Sequence, residues 1–566
     1  MPTIEVERED LENLLGARLP SDAEELNEIL SFIKGEVKRL SSDEIQIDIK
    51  DSNRADLWCV EGIARALRGI LGIEGGLKRY EVLGGSGVVV YVDGKLRDIR
   101  PYIACAVVRG VRLSDTAIRH IMRFQDKMDQ THGRGRRRTS IGLYNFDLIS
   151  PPLYYTVSKP SETRFVPLGF NEELSLAEIL ERHPKGVEYG HIVKPFDLWP
   201  IFIDSKGRVL SFPPIINSND LGRVTVDTKN VLVEVTGTSF KAVLHALTNV
   251  VLALADRGGA IYSAEIHYPY EDFGVTVTPD LKTERMRIDI EYIRGVIGTS
   301  LSPKEIVDLL EKSRYGVLEV SGETIVVEVP CYRADIMHPI DVVEDIAIAY
   351  DLNKMKPRWP QITTTGGLAE ETRLRNLVRE VMVGLGYQEV LTFSMSNPTT
   401  LFAKMGVPQG DVIEVVNPKV SSMTCLRNWL IPSLMEYLSH NRHAEYPQRI
   451  FEVGYCVIRD NKMPNKARDI EKLACVTIHS SASFSEIKSV LDSLFMSIGI
   501  KYELEEAEHG SFIEGRAGKI IVNGEDAGII GEIHPQVLEN WGLNNPAAAL
   551  EINLNKIWSL LKKAVE

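Results

Sequence analysis

Two stretches of this 566-residue chain, 14–67 and 296–350, carry the same pieces in the same order, and that repeat constrains the fold more than any other feature. The first reads "LLGARLPSDAEEL", the alternating "IQIDI", then "NRADLWCVEGIARAL"; the second reads "VIGTSLSPKEIVDL", "IVVEV", then "YRADIMHPIDVVEDIAIAY". Each runs through a glycine-bearing turn, a helix, a period-two strand, an R-A-D turn and a second helix. Two related small α/β modules are therefore expected, with Arg54 and Asp56 corresponding to Arg333 and Asp335. Because the R-A-D turn occurs in both copies, its aspartate is read as structural, capping the next helix or pairing with its arginine.

The second copy adds carboxylates that the first lacks. At about 100° per residue, Asp341, Glu344 and Asp345 share a helical face with Ile348, while Val342, Ile346 and Ala349 lie on another. Three carboxylates, with Asp335 just upstream, are oxygen ligands of the kind that suit Mg²⁺. On spacing alone the same acids are better explained by the dipole of the helix they open, which favours each by about 0.3–1 kcal/mol without a metal.

Charge and composition exclude several classes of function. No apolar run approaches the roughly 20 residues needed to cross a bilayer, and "MPTIEVERED" has no secretory pattern, so a cytoplasmic protein without a membrane partner is expected. Six cysteines, none in a C-x-x-C pair, fit reduced thiols rather than a zinc ribbon. A net charge of −14 repels nucleic acid overall, so any RNA contact must be local. The one dense basic run, "THGRGRRRTS", offers Arg134, Arg136, Arg137 and Arg138 as candidate phosphate contacts, and equally reads as a solvated loop.

Between the modules, residues 100–270 alternate strands and helices. In "VLVEV" the alternation puts Leu232, Glu234 and Thr236 on one face and Val231, Val233 and Val235 on the other. The residues favour solvent for the Glu234 face. The alternative is a pocket shared with Ser211 and Asn217 of "SFPPIIN", where a buried carboxylate needs a polar partner. After the Pro- and Gly-marked "PRWPQITTTGG", the last 200 residues read as helices with an antiparallel sheet.

Four strings, "NRADLWCVEGIARALRGILG", "SFPPIINSND" with "VEVTGTS", "YRADIMHPIDVVEDIAIAYDLN", and "VNPKVSSMTCLRNWLIPSLMEYLSHN" with "FEVG", resemble the β subunit of phenylalanyl-tRNA synthetase in its archaeal and eukaryotic form. The resemblance implies a multidomain α+β chain: an N-terminal module over 1–95, an editing domain over 96–272, a second module over 276–356 and a degenerate class II synthetase-like domain over 360–566. It implies an α₂β₂ heterotetramer with the α subunit, ATP as substrate at that subunit, tRNA specific for phenylalanine as a partner, and Mg²⁺ shared with the α subunit at Asp335, Asp341, Glu344 and Asp345. It places Phe202, Ser211 and Thr236 around an editing pocket, to which Asn217 is added, with Glu234 as the acceptor for the phenolic hydroxyl of a mischarged tyrosine.

The last domain departs from a working synthetase. "FEVG" lacks the arginine that grips ATP, and "IIGEIHPQVLENWG" lacks the arginine-bearing third motif, so the phosphate chemistry has no cations and Asn417, Arg427 and Glu452 are expected to serve the fold or an interface. The alternative function is a non-editing, structural and tRNA-docking subunit of the same complex.

Overall fold

The alternating "EIQIDI" and "TIVVEV" each form the middle strand of a small antiparallel sheet, because one face of each is apolar throughout. In this computed structural model, which describes residues 2–357 and 359–565 with side chains as far as Ser559, the chain divides into two units, Met1–Trp359 and Pro360–Glu566.

Within the first unit the repeat is real in three dimensions. Strand Glu44–Ile49 lies between Thr3–Glu7 and Gly35–Leu40, and Thr324–Val329 lies between Glu284–Asp289 and Gly316–Ser321, in the same order. Helices Arg8–Leu15 and Ile290–Ile297 both end on a glycine in the left-handed region, Gly16 at φ 76° and Gly298 at φ 74°, where other residues would be strained. The R-A-D turns also match. Arg54 donates to Asp56 through Nε at 2.9 Å and Nη2 at 2.7 Å, and Arg333 donates to Asp335 through the same two atoms at the same distances. The two modules touch: a Cβ at Gly69 would overlap the Lys312 carbonyl oxygen, and Gly76 N donates to Glu311 O at 2.8 Å.

The middle of this unit is one ten-stranded mixed sheet. It runs from Ile216–Asn217 through Val209–Phe212, Trp199–Asp204, Leu153–Ser158, Val82–Val92, Ala260–His267, Tyr102–Arg109 and Asn230–Gly237 to Thr139–Asn145, with Val275–Thr278 on Ala260–His267. Its ends curl towards each other until Asn217 Nδ2 donates to Leu143 O at 3.3 Å, which nearly closes a barrel. Helices Asp115–Gln130 and Phe240–Asp256 cover the outside, where Val231, Val233 and Val235 meet Phe124, Val243 and Leu247. Leu232 points inward with Tyr144, Tyr155 and Phe202. The sheet takes in more chain than 96–272, since Val82–Val92 and Val275–Thr278 are both strands of it. The glycines of "VLGGSGVVVYV" hide the first of these from a propensity reading.

The second unit is built on a seven-stranded sheet, antiparallel except at one edge. Alternate residues of its central strands feed two cores: Phe451, Leu473 and Cys475 pack on helices Glu370–Gly384 and Phe484–Ile498, and Ile450, Ala474 and Val476 on Ile431–His440. Arg427 and Glu452 form a fully buried ion pair at 2.7 Å, which gives both a role in holding this fold. Asn417 sits at φ 55° in an exposed turn.

The Arg333 clamp yields a stability prediction. Its Nη1 also holds Asp345 at 2.8 Å, so Arg333→Met strands two carboxylates and is expected to cost about 3–5 kcal/mol, more than Arg54→Met, which strands one. Burial raises the Asp345 carboxyl, but Arg333, joined by the charge of Arg54 and the Tyr315 hydrogen bond, outweighs it and holds that carboxyl below its ordinary range. Stability from the pair is therefore present at neutral pH and lost in acid. Urea midpoints of both variants should fall at pH 7, and the deficit of Arg333→Met should shrink as the pH drops below the carboxylate range.

Candidate functional site

The seam of the curled sheet leaves a cavity of about 290 Å³ lined by Ser140, Ser211, Asn217 and Glu234, by the apolar walls of Ile141, Leu143, Pro213, Pro214 and Ile215, and by the cations Arg136, Lys185 and Arg223. Strand register explains how it forms. Glu234 lies opposite Gly142 on one neighbouring strand and Cys105 on the other. A Cβ at position 142 would overlap Glu234 Oε2 and the Tyr144 hydroxyl, so glycine is what lets the carboxylate and the phenol meet.

Glu234 is 3% exposed, which overturns the solvent reading of its strand face. The alternation was correct, but in a curled sheet the face opposite the helices is an interior rather than a surface. Tyr144 Oη lies 2.8 Å from Glu234 Oε2 and 2.9 Å from Ser211 Oγ. A phenol has one proton, so it donates to the carboxylate and accepts from Ser211. Asn217 Oδ1 is 3.5 Å from the same Tyr144 oxygen. Glu234 Oε1 is buried with no hydrogen-bond partner. Burial pushes the Glu234 carboxyl up to about 7, against the opposing Tyr144 hydrogen bond and Arg100 charge.

The five pocket residues named from sequence divide into two layers. Ser211, Asn217 and Glu234 line the cavity together. Phe202 and Thr236 are fully buried behind it: Phe202 sets its ring edge-on to Tyr144 at 6.3 Å, and Thr236 Oγ1 accepts from Arg100 Nε at 2.9 Å. Sequence reasoning missed Tyr144, Gly142 and Arg100. The signal was in "TSIGLYN", whose alternation puts Ser140, Gly142 and Tyr144 on one face with a glycine in the middle.

The basic run is not four free cations. Arg136 is buried, its Nε 2.9 Å from Asp129, its Nη1 donating to Ile215 O at 2.8 Å and its guanidinium over the Tyr189 ring, so it braces the cavity wall. Arg134 and Arg137 are exposed and Arg138 is half-buried. His191 lies on the surface outside the cavity lining, with Nδ1 on Glu188 O and Nε2 3.4 Å from Arg137 Nη2.

The acidic quartet does not converge. Asp335 and Asp345 are held by Arg333, and Asp345 also accepts from Tyr315 Oη at 2.6 Å. Asp341 caps its own helix by accepting from Met337 N and His338 N, both at 2.8 Å, and exposed Glu344 pairs with Lys34 at 2.7 Å. Among the described residues no group of three or more His, Cys, Asp or Glu is placed to hold a metal. A guanidinium already stands between the two buried carboxylates, so the four do not fit Mg²⁺ within this chain.

Family models match residues 286–352 as the tRNA synthetase B5 domain and residues 355–554 as the phenylalanyl tRNA synthetase beta chain CLM domain. Over 562 residues the chain is 45% identical to the phenylalanine–tRNA ligase beta subunit of Pyrococcus horikoshii, covering 99% of this chain and 100% of that one. The chain belongs to the phenylalanine–tRNA ligase beta-subunit family. It is thus a component of an aminoacyl-tRNA synthetase, a ligase of protein biosynthesis. The Pyrococcus furiosus beta subunit is likewise 45% identical over 562 residues, covering 99% of this chain and 100% of its own. A crystal structure of an N-terminal fragment of the P. horikoshii beta subunit superimposes with a TM-score of 0.59 at 45% identity, covering 62% of this chain and 99% of that one. Among the described residues no helix is long and apolar enough to cross a membrane.

The state of Glu234 makes a second prediction. Its folded pKa, about 7, is above its ordinary 4.5, so the native state holds the extra proton and stability falls as pH rises from 4.5 through 7. Glu234→Gln should remove that slope. In urea unfolding between pH 5 and 8, the variant is expected to gain on the wild type steadily as pH increases.

Proposed function

We propose that this chain is the editing subunit of a phenylalanine–tRNA ligase, assembled as α₂β₂ with an α subunit that charges tRNA with phenylalanine using ATP, and that the seam cavity hydrolyses tyrosine mistakenly attached to that tRNA. The observation that carries the reading is a buried carboxylate in an apolar cavity with one oxygen lacking a partner.

The need is physical. An apolar synthetic pocket rejects an isostere carrying one extra hydroxyl by only about 10²-fold, whereas a site built to hydrogen-bond that hydroxyl discriminates by about 10⁴ or more. A tyrosine phenol donating to Glu234 Oε1 satisfies a group that phenylalanine leaves orphaned. Ester hydrolysis then needs a held water whose oxygen bonds to the carbonyl carbon as the ribose oxygen leaves, taking up a proton from that water. Ser211 and Asn217 supply polar atoms for holding it, and no Ser-His-Asp or Cys-His set lines the cavity. Lys185 and Arg223, on the cavity lining, suit the phosphates of a polynucleotide end.

The second reading, a structural and tRNA-docking subunit without editing, draws on the acidic quartet, which is spent on ion pairs and a helix cap. Hydrolysis of Tyr-tRNA specific for phenylalanine by the full complex separates the two. Glu234→Ala is expected to lower kcat/KM by about 10²-fold or more. If the wild-type complex leaves the tyrosyl ester intact, the second reading holds.

A further inference from the structure

Within the cavity the position of Glu234 is not set by a cation. Its nearest anchoring contact is the Tyr144 hydroxyl at 2.8 Å, and that hydroxyl is itself fixed. Ser211 Oγ stands 2.9 Å away on the other end of the sheet, Phe202 packs against the ring edge, and Tyr144 is fully buried. Gly142, one residue removed on the same strand face, supplies the gap through which phenol and carboxylate meet.

We propose that Tyr144 is the positioning residue that makes this cavity select a phenol over a phenyl ring: by occupying Oε2 of Glu234 it fixes the carboxylate plane and leaves Oε1 as the sole acceptor for the substrate hydroxyl. The inference rests on the editing reading above. Without Tyr144 the carboxylate can turn, share both oxygens with water, and accept no hydroxyl in particular. Discrimination then falls even though Glu234 is still present. Tyr144 touches no reacting bond. Its effect passes through Glu234, and it belongs with the aromatic binding step rather than with ester cleavage.

The carboxylate's proton equilibrium reports the contact independently. The groups facing Glu234 are Tyr144 from strand Thr139–Asn145, Cys105 from Tyr102–Arg109, Thr236 from its own strand, whose hydroxyl also lowers the pKa but by less than Tyr144, and Ser211 and Asn217 across the seam, with Arg100 and Asp129 acting through charge from farther away. Of these, Tyr144 donates to the charged form and so holds the pKa down. Removing its hydroxyl moves the Glu234 midpoint up, a change that a general loosening of the fold would not produce in that direction.

The test uses the full-length chain assembled with its α subunit and compares kcat/KM for hydrolysis of tyrosyl- and phenylalanyl-tRNA, both on tRNA specific for phenylalanine, from pH 5.5 to 8.5 (a range chosen as roughly 1.5 units about the Glu234 midpoint). For Tyr144→Phe the tyrosine-over-phenylalanine ratio is expected to fall at least about tenfold, chiefly through KM, with the pH midpoint shifted upward. Ser211→Ala, which removes the donor to Tyr144 while leaving the phenol in place, should give a smaller loss in the same direction and covers the case in which Tyr144→Phe folds poorly. An unchanged ratio in a folded Tyr144→Phe complex, with Glu234→Ala inactive, overturns this inference and leaves the editing reading standing. A wild-type complex that cannot hydrolyse the tyrosyl ester overturns both.

Discussion

A carboxylate buried without a cation sets the terms for the first unit. Placing Glu234 at 3% exposure in the inward face of a sheet would be severely unfavourable if it stayed charged and unpaired. Its surroundings reduce that cost piece by piece: the pKa rises to about 7, Tyr144 donates to one oxygen, and the buried Arg100 adds charge from beyond Thr236. Each of these depends on the sheet curling until its ends meet at Asn217 and Leu143. In a flat sheet Ser211 and Tyr144 would sit on opposite edges, and the carboxylate would face water.

Elsewhere in the same unit carboxylates are buried on the opposite plan, each with an arginine. Arg54 and Arg333 grip their R-A-D aspartates with the same two nitrogens, and Arg333 takes Asp345 as well. Arg65 holds Asp256 at 2.6 Å, and Arg257 joins Glu61 and Asp10. The Arg65 and Arg257 pairs tie the first module to the end of the helix that covers the sheet, while the Arg54 and Arg333 pairs hold each module's own turn. Glu234 differs from them in having no arginine paired with it and in lining a cavity, so that its unpartnered oxygen lies at a ligand-sized space.

The repeat, the small sheets and the R-A-D pairs were legible because they depend on local order: alternation for the strands, glycine for the left-handed turns, and a two-residue spacing for the arginine and aspartate. Ser211, Asn217 and Glu234 were found as residue types, but their union depends on which ends of a ten-stranded sheet close, a non-local fact that no periodicity carries. The solvent reading of Glu234 failed for that reason, since alternation assigns a face and cannot say whether that face is outside. The acidic quartet misled in the opposite sense. Helical spacing put Asp341, Glu344 and Asp345 on one face, yet Asp345 is buried on Arg333, Glu344 is exposed on Lys34 and Asp341 caps its own helix. Arg136 shows the same limit, its cationic run being partly a wall of the cavity.

The claim that Glu234 waits for a phenol is tested most directly by binding. Calorimetric affinities of non-hydrolysable amide-linked tyrosyl and phenylalanyl adenosine for the full-length chain should favour the tyrosyl compound by about 1.4 kcal/mol or more, at least tenfold, at a pH roughly one unit above the Glu234 midpoint. That preference should narrow one unit below it, where the carboxylate is protonated. Equal affinities for the two compounds on both sides of the midpoint would contradict the account.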